Sequence, residues 1–189
     1  MSTVTGTRPY AWPYGGAVSA ERTALVIAGA DTGWYGRCPS APAIERTLKG
    51  VVRALGRAGV LVVRVRHPAP PGAPPSRWMG PSGHHEVEAG GLDGFYASSL
   101  DRVLRDARRD HLVLGGFGLE GPVHSTLRSA NDRGYECLVL ADATASLNVA
   151  LAHAAFSMIC MSGGIFGAVG ESTELGRAFD RTTPLKEDQ

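Results

Sequence analysis

Cysteine is scarce: Cys38, Cys137 and Cys160 are the three in 189 residues. An odd set without metal-ligand spacing excludes a disulfide framework and a zinc knuckle, and suits a reducing compartment. Long apolar runs are missing as well. The longest are strand-sized and no signal-peptide core is visible, so the expectation is a soluble, cytoplasmic protein. Charge of one sign is also missing. Nineteen Lys and Arg balance eighteen Asp and Glu, interspersed, for a net charge of +1. No field therefore points towards nucleic acid or an anionic membrane. Repeats and composition shifts are absent too. A chain of this length makes one domain with a core that needs no staples.

What is present is an alternation of strand-like and helix-like segments. After an irregular, aromatic lead-in over residues 1–22 (RPYAWPYGG), Thr23–Ala30 is apolar without alternation, the pattern of a buried central strand. Asp31–Ser40 reads as a loop. Pro42 can open a helix whose stripe is Ile44, Leu48, Val51, Val52 and Leu55. Gly59 ends it, and Val60–Val65 is a second strand. A Pro/Gly-rich connection then runs from His67 to Gly94, long enough to be a lid or binding loop. Ser99 caps a helix carrying Leu100, Val103, Leu104 and Ala107. His111–Gly115 is a strand, Pro122 opens a helix, and Glu136–Ala141 is the next strand. Leu147–Met161 reads as a helix, Ile165–Val169 as a last strand and Glu174–Phe179 as a closing helix. The class is α/β, a doubly wound parallel sheet flanked by helices over residues 23–181, with 182–189 as a tail.

The organising unit is the strand–turn–helix around Gly115–His124, whose glycine turn belongs at the carboxyl edge of the sheet. Gly116-Phe117-Gly118-Leu119-Glu120-Gly121 fits the dinucleotide fingerprint, with Asp142 about 20 residues on where a ribose-binding acid stands. Two features oppose that reading. The fingerprint normally opens the first βαβ unit, and Glu120 places a carboxylate beside the pyrophosphate. A turn shaped for backbone packing is the simpler account, and no cofactor is expected. Nor is a metal: His84-His85-Glu86 has adjacent histidines that point to opposite sides of an extended segment.

The blocks RPYAWPYGG, TALVIAGAD, GFYASSLDRVLRD, HSTLRSANDRGYECLVLADATAS and MSGGIFGAVG, in this order, resemble the isochorismatase-like cysteine hydrolases, and most their biuret amidohydrolase branch. The resemblance implies a six-stranded parallel sheet and assembly as dimers or tetramers. It also implies an Asp after the first strand, a Lys before the Phe-Tyr segment and a Cys opening a helix. There the Asp takes the thiol proton, the Lys holds charge and the Cys attacks an amide-type carbonyl. At the matching positions this chain has Ala28, Ala89 and Pro122, and Ala30 where a Gln is usual. Pro122 removes the thiol and also a backbone N–H expected to stabilise an oxyanion.

What remains is read as a roomier, more apolar cavity walled by Ala28, Ala89, Pro122, Trp34, Tyr35 and Tyr96, with Asp93 at its rim. Glu120, His124 and Asp31 are the candidate acid–base groups. The expected partners are a small-molecule ligand and further copies of the chain, the latter through Tyr10–Tyr14. The leading expectation is non-covalent conversion (cyclisation, isomerisation or elimination) or binding of a small, partly apolar metabolite in a biosynthetic setting. Two alternatives stay open: an inactive subunit that stabilises an active partner, and a surviving amidohydrolase using a displaced nucleophile such as Cys38.

Overall fold

Strand sequences without alternation end up with both faces covered. In the computed structural model, which describes residues 2–69, 71–73 and 77–181, these are β1 (Thr23–Ala28), β2 (Leu61–Arg66), β3 (His85–Glu88), β4 (His111–Phe117), β5 (Glu136–Ala145) and β6 (Ala168–Gly170). They form one parallel sheet in the order β3-β2-β1-β4-β5-β6. The chain steps outward from β1 through β2 to β3 and then returns to the other side of β1 as β4. The direction of winding reverses between β1 and β4, and ligands of such sheets bind in the crevice beyond those strand ends.

The pleat sends alternate side chains to opposite layers. Leu25 and Ile27 of β1 pack with Leu48, Val51 and Leu55 of α2 (Ala41–Arg57) and with Leu175 and Phe179 of α6 (Ser172–Asp180). Ala24, Val26 and Ala28 face the opposite layer. That layer holds Leu100 and Leu104 of α3 (Leu100–Asp106), Leu127 of α4 (His124–Asp132) and Ile159 of α5 (Val149–Cys160). Each fully buried Leu, Ile or Val stabilises by roughly 1.5–3 kcal/mol, so a slip of one residue along β1 is strongly disfavoured.

The structure departs from the sequence expectations at several places. The connection after His67 contains β3, whose His85–Glu88 pairs with Val63–Arg66 and supplies the sixth strand. Its exposed, charged residues hide it from a reading based on apolar runs: Glu86 pairs with Arg64, and Glu88 with Arg66. Within Asp31–Ser40 a short helix, α1 (Thr32–Tyr35), replaces pure loop. β1 stops at Ala28, because Gly29 turns to a φ of +63°. β5 continues to Ala145, where Thr144 and Ala145 pair with Gly116 and Phe117 beyond an irregularity in β4. The last strand starts at Ala168 rather than Ile165, after Gly163, Gly164 and Gly167 have taken positive φ. α5 starts at Val149, with the Asn148 side chain accepting the Ala150 N–H (3.0 Å). Ser99 precedes α3, but Ser98 Oγ is the group that accepts the Leu100 N–H (3.2 Å).

The lead-in is tied to the sheet. Arg8 forms an antiparallel bridge with Val169, and Trp12 is fully buried with its ring 5.5 Å from that of His111. Residues 182–189 of the expected tail lie outside the described residues. No described helix is long and apolar enough to cross a membrane.

Candidate functional site

Gly118 leaves β4 in the left-handed region (φ +83°), and Leu119–Val123 forms a single wide π-type turn before α4. Proline explains the width. Pro122 has no N–H to give to the Gly118 carbonyl four residues back, so the Val123 N–H reaches that carbonyl instead, at 3.3 Å. Pro122 therefore sits inside a widened turn and α4 opens one turn later, at His124, which corrects the expectation that Pro122 itself starts the helix. The absence of side chains at Gly118 and Gly121 is used. A methyl group on Gly118 would come 2.8 Å from Trp34 Cε3 and 3.0 Å from Pro122 Cδ, and one on Gly121 3.2 Å from Trp34 Cη2.

Trp34 thus closes over the turn. Its position follows from Asp31, a fully buried carboxylate that ends the β1 loop. Asp31 Oδ1 accepts the N–H groups of Gly33 (2.9 Å) and Trp34 (3.1 Å), and Oδ2 accepts that of His67 (3.3 Å). The Trp34 indole N–H donates to the Pro68 carbonyl at 3.1 Å. Among the described residues, Trp34 therefore packs over Gly118 and Gly121 on this side of the β1–β4 switch point. Ala28 and Ala89 lie in one buried layer with Leu119 and Val123, the first and last residues of the turn.

The acid–base candidates separate. Glu120 points to the start of α5: it accepts from Ser146 Oγ and from the N–H groups of Leu147 (2.9 Å) and Asn148 (3.0 Å). Burial alone would raise its pKa, but these bonds win and hold the carboxyl below its usual range. Glu120 thus anchors the loop that leads into α5. Tyr35 also turns away, its hydroxyl donating to Glu45 (3.0 Å) and its ring standing edge-on to Phe117. His124 is half-buried, and its Nε2 has no hydrogen-bond partner among the described residues. Burial and then Arg128 push its pKa down. Asp93 closes a tight turn by accepting the Phe95 N–H (2.8 Å), and Tyr96 is exposed with its ring over Gly90 and Gly91.

Other sequence candidates are accounted for locally. Asp142 accepts the Ser172 N–H (2.9 Å) and hydroxyl, and so anchors α6 instead of awaiting a ribose. Cys38 is buried, with its Sγ 3.7 Å from the Ala145 carbonyl. Burial pushes its thiol up to about 11, so it holds its proton at neutral pH. Cys137 is fully buried and shifted the same way. His84 Nδ1 accepts the Val62 N–H (3.1 Å), and among the described residues no cluster of three or more metal-ligating side chains forms.

The residue that sequence reasoning missed is His67, which follows the carboxyl end of β2. It is 2 % exposed, with Nδ1 3.0 Å from the Gly91 carbonyl. Its Nε2 is buried without a partner among the described residues. Beside it opens a cavity of about 250 Å³, lined by Arg66, His67, Pro68, Ala69, Glu88 and Ala89. A histidine and proline closing an apolar strand were the available signal.

The sequence model of the isochorismatase domain family matches residues 23–171. Among solved structures, a cysteine hydrolase from Pseudomonas syringae pv. phaseolicola superposes with a TM-score of 0.78 at 18 % identity, over 89 % of this chain and 97 % of that one. A putative isochorismatase hydrolase from Oleispira antarctica does so at 0.71 and 23 % identity, over 86 % and 100 %. A nicotinamidase from Staphylococcus aureus gives 0.65 and 16 % identity, over 80 % and 99 %. At these identities the likeness is one of fold.

Proposed function

This chain belongs to the isochorismatase family, and from that premise we propose that it keeps the family scaffold without the family's cysteine nucleophile. In this reading it binds a small, partly apolar molecule at the carboxyl edge of the sheet and either converts it without a covalent intermediate, by cyclisation, isomerisation or elimination, or simply holds it. The observation that carries the reading is Pro122 inside the widened turn. The position that resembles the family's Cys offers neither a thiol nor a backbone N–H, and Trp34 lies against it. Losing one oxyanion donor alone costs on the order of 100-fold in rate. Losing the nucleophile too removes the mechanism, and the buried thiols of Cys38 and Cys137 are poor substitutes. The resemblance to the biuret branch sets the first assays. Biuret, nicotinamide and carbamoyl amides are expected to show no turnover that thiol alkylation abolishes, and Pro122→Cys alone should not create one, since Ala28 and Ala89 still lack the base and the cation. Alkylation-sensitive hydrolysis of any of these amides would overturn the reading.

The same reading includes self-association. In the lead-in Trp12 is buried and Tyr14 stays exposed, and Val149, Leu151 and Met158 of α5, with Met161 and Ile165 beyond it, are exposed as well. Apolar area on one helix and the loop after it is what a second copy of the chain would cover. Sedimentation velocity is expected to show a dimer or larger species that Leu151→Arg shifts to monomer; a wild-type monomer at micromolar concentration would remove this part of the proposal.

A further inference from the structure

Hydrogen bonding fixes which nitrogen of His67 carries its proton. A carbonyl oxygen can only accept, so the 3.0 Å contact with Gly91 makes Nδ1 the N–H donor and leaves Nε2 as a bare lone pair in the neutral ring. That lone pair is buried and unmatched among the described residues, on a residue that lines the cavity at the ends of β2 and β3. The cavity's charges are already engaged: Arg66 is paired with Glu88, and Arg66 also lies over the Trp78 ring. Ala89 adds an uncharged methyl group to the same wall.

We propose that His67 Nε2 is the acid–base atom of this protein, accepting an acidic N–H or O–H from a small neutral ligand in the Arg66–Ala89 cavity. This rests on the proposed thiol-independent site and assigns its chemistry to a residue outside the glycine turn. In a reaction, the substrate's N–H or O–H bond breaks, its electron pair stays on the substrate, and the proton forms the Nε2–H bond of an imidazolium. The same proton returns to another atom of the substrate, so the step is a proton relocation that needs no co-reactant. Asp31, whose Oδ2 accepts the His67 backbone N–H, and Asp93 both favour the imidazolium as it forms. Desolvation outweighs them at rest and keeps the ring's pKa below its ordinary value, so the base is free to accept at neutral pH.

The test uses the full chain labelled with 15N-histidine, two probes and one variant. Long-range 1H–15N spectra, assigned with His67→Gln, should show His67 as Nδ1-protonated with a pyridine-type Nε2 at neutral pH. Succinimide, a small imide with an acidic N–H, should move the Nε2 resonance towards the protonated position. N-methylsuccinimide, which lacks that proton, should leave it in place. His67→Gln should weaken succinimide binding at least ten-fold with an unchanged melting temperature. The opposite tautomer, equal binding of both probes, or binding of neither overturns the proposal. None of these results depends on thiol alkylation, so failure here and failure of the thiol-independent reading are told apart.

Discussion

Two corners of the same sheet edge are built in opposite ways. At the β1–β4 corner the carboxylates are matched among the described residues. Asp31 collects three backbone N–H groups, Trp34 covers Gly118 and Gly121, and Glu120 is saturated by the start of α5. At the β2–β3 corner, about one strand away, a cavity opens and the His67 Nε2 is unmatched among the described residues. Closed packing with full hydrogen bonding contributes stability; a buried lone pair without a partner costs stability. The first corner is packed and hydrogen-bonded around Trp34 and Asp31, and the second keeps open space beside a buried histidine.

Substitutions that break this contrast should differ in size. Trp34→Ala removes the lid of the closed corner and should cost about 3–5 kcal/mol in urea unfolding, the range for a buried aromatic truncated to Ala. A cost near zero would mean that the indole is not packed on the turn. Asp31→Ala leaves three buried donors without an acceptor and should cost about 2–3 kcal/mol, with Asp31→Asn milder because one oxygen remains.

How much of this was legible in the sequence differs by element. β1, α2 and β4 carry strong apolar signals, and their places in the sheet follow from them. β3 carries HEVE, with a single buried residue, so its strand pairing depends on Arg64 and Arg66 across the sheet. The glycine turn was visible in GFGLEG, and Pro122 in sequence; the wide turn follows from proline's missing N–H. The role of Glu120 was not legible, since a carboxylate in the first turn of a helix fits a ligand contact as well as an anchor for residues 147 and 148. His67 was hidden in a Pro/Gly-rich stretch, because its partner, the Gly91 carbonyl, is 24 residues away.

Smaller effects sharpen the comparison. Glu120→Gln should cost about 1–2 kcal/mol through weaker bonds to Leu147 and Asn148. The sign with pH follows: the folded pKa of Glu120 is lowered, so its contribution is present above the unfolded value of about 4.5 and is lost as the pH falls through the folded one. Urea midpoints of both proteins at pH 3–6 should converge at the acid end. Smallest of all is the histidine effect. Burial lowers the pKa of His67, His111 and His124, so the unfolded chain binds more protons than the folded one below about 6.5. Stability should therefore decline as the pH drops from 7 towards 5, and His67→Gln should flatten part of that slope. An unchanged slope would indicate that His67 takes up its proton alike in the folded and unfolded protein.

The most direct measurement of the central claim needs no ligand. Native full-length protein is treated with iodoacetamide at neutral pH, and alkylation of each cysteine is followed over time by peptide mass spectrometry. Cys38, whose thiol lies under the closed corner with its pKa pushed up to about 11, should stay unmodified with Cys137 until denaturant is added. Rapid, selective alkylation of Cys38 in the folded protein would contradict the account, because it would reveal an activated nucleophile beside the glycine turn.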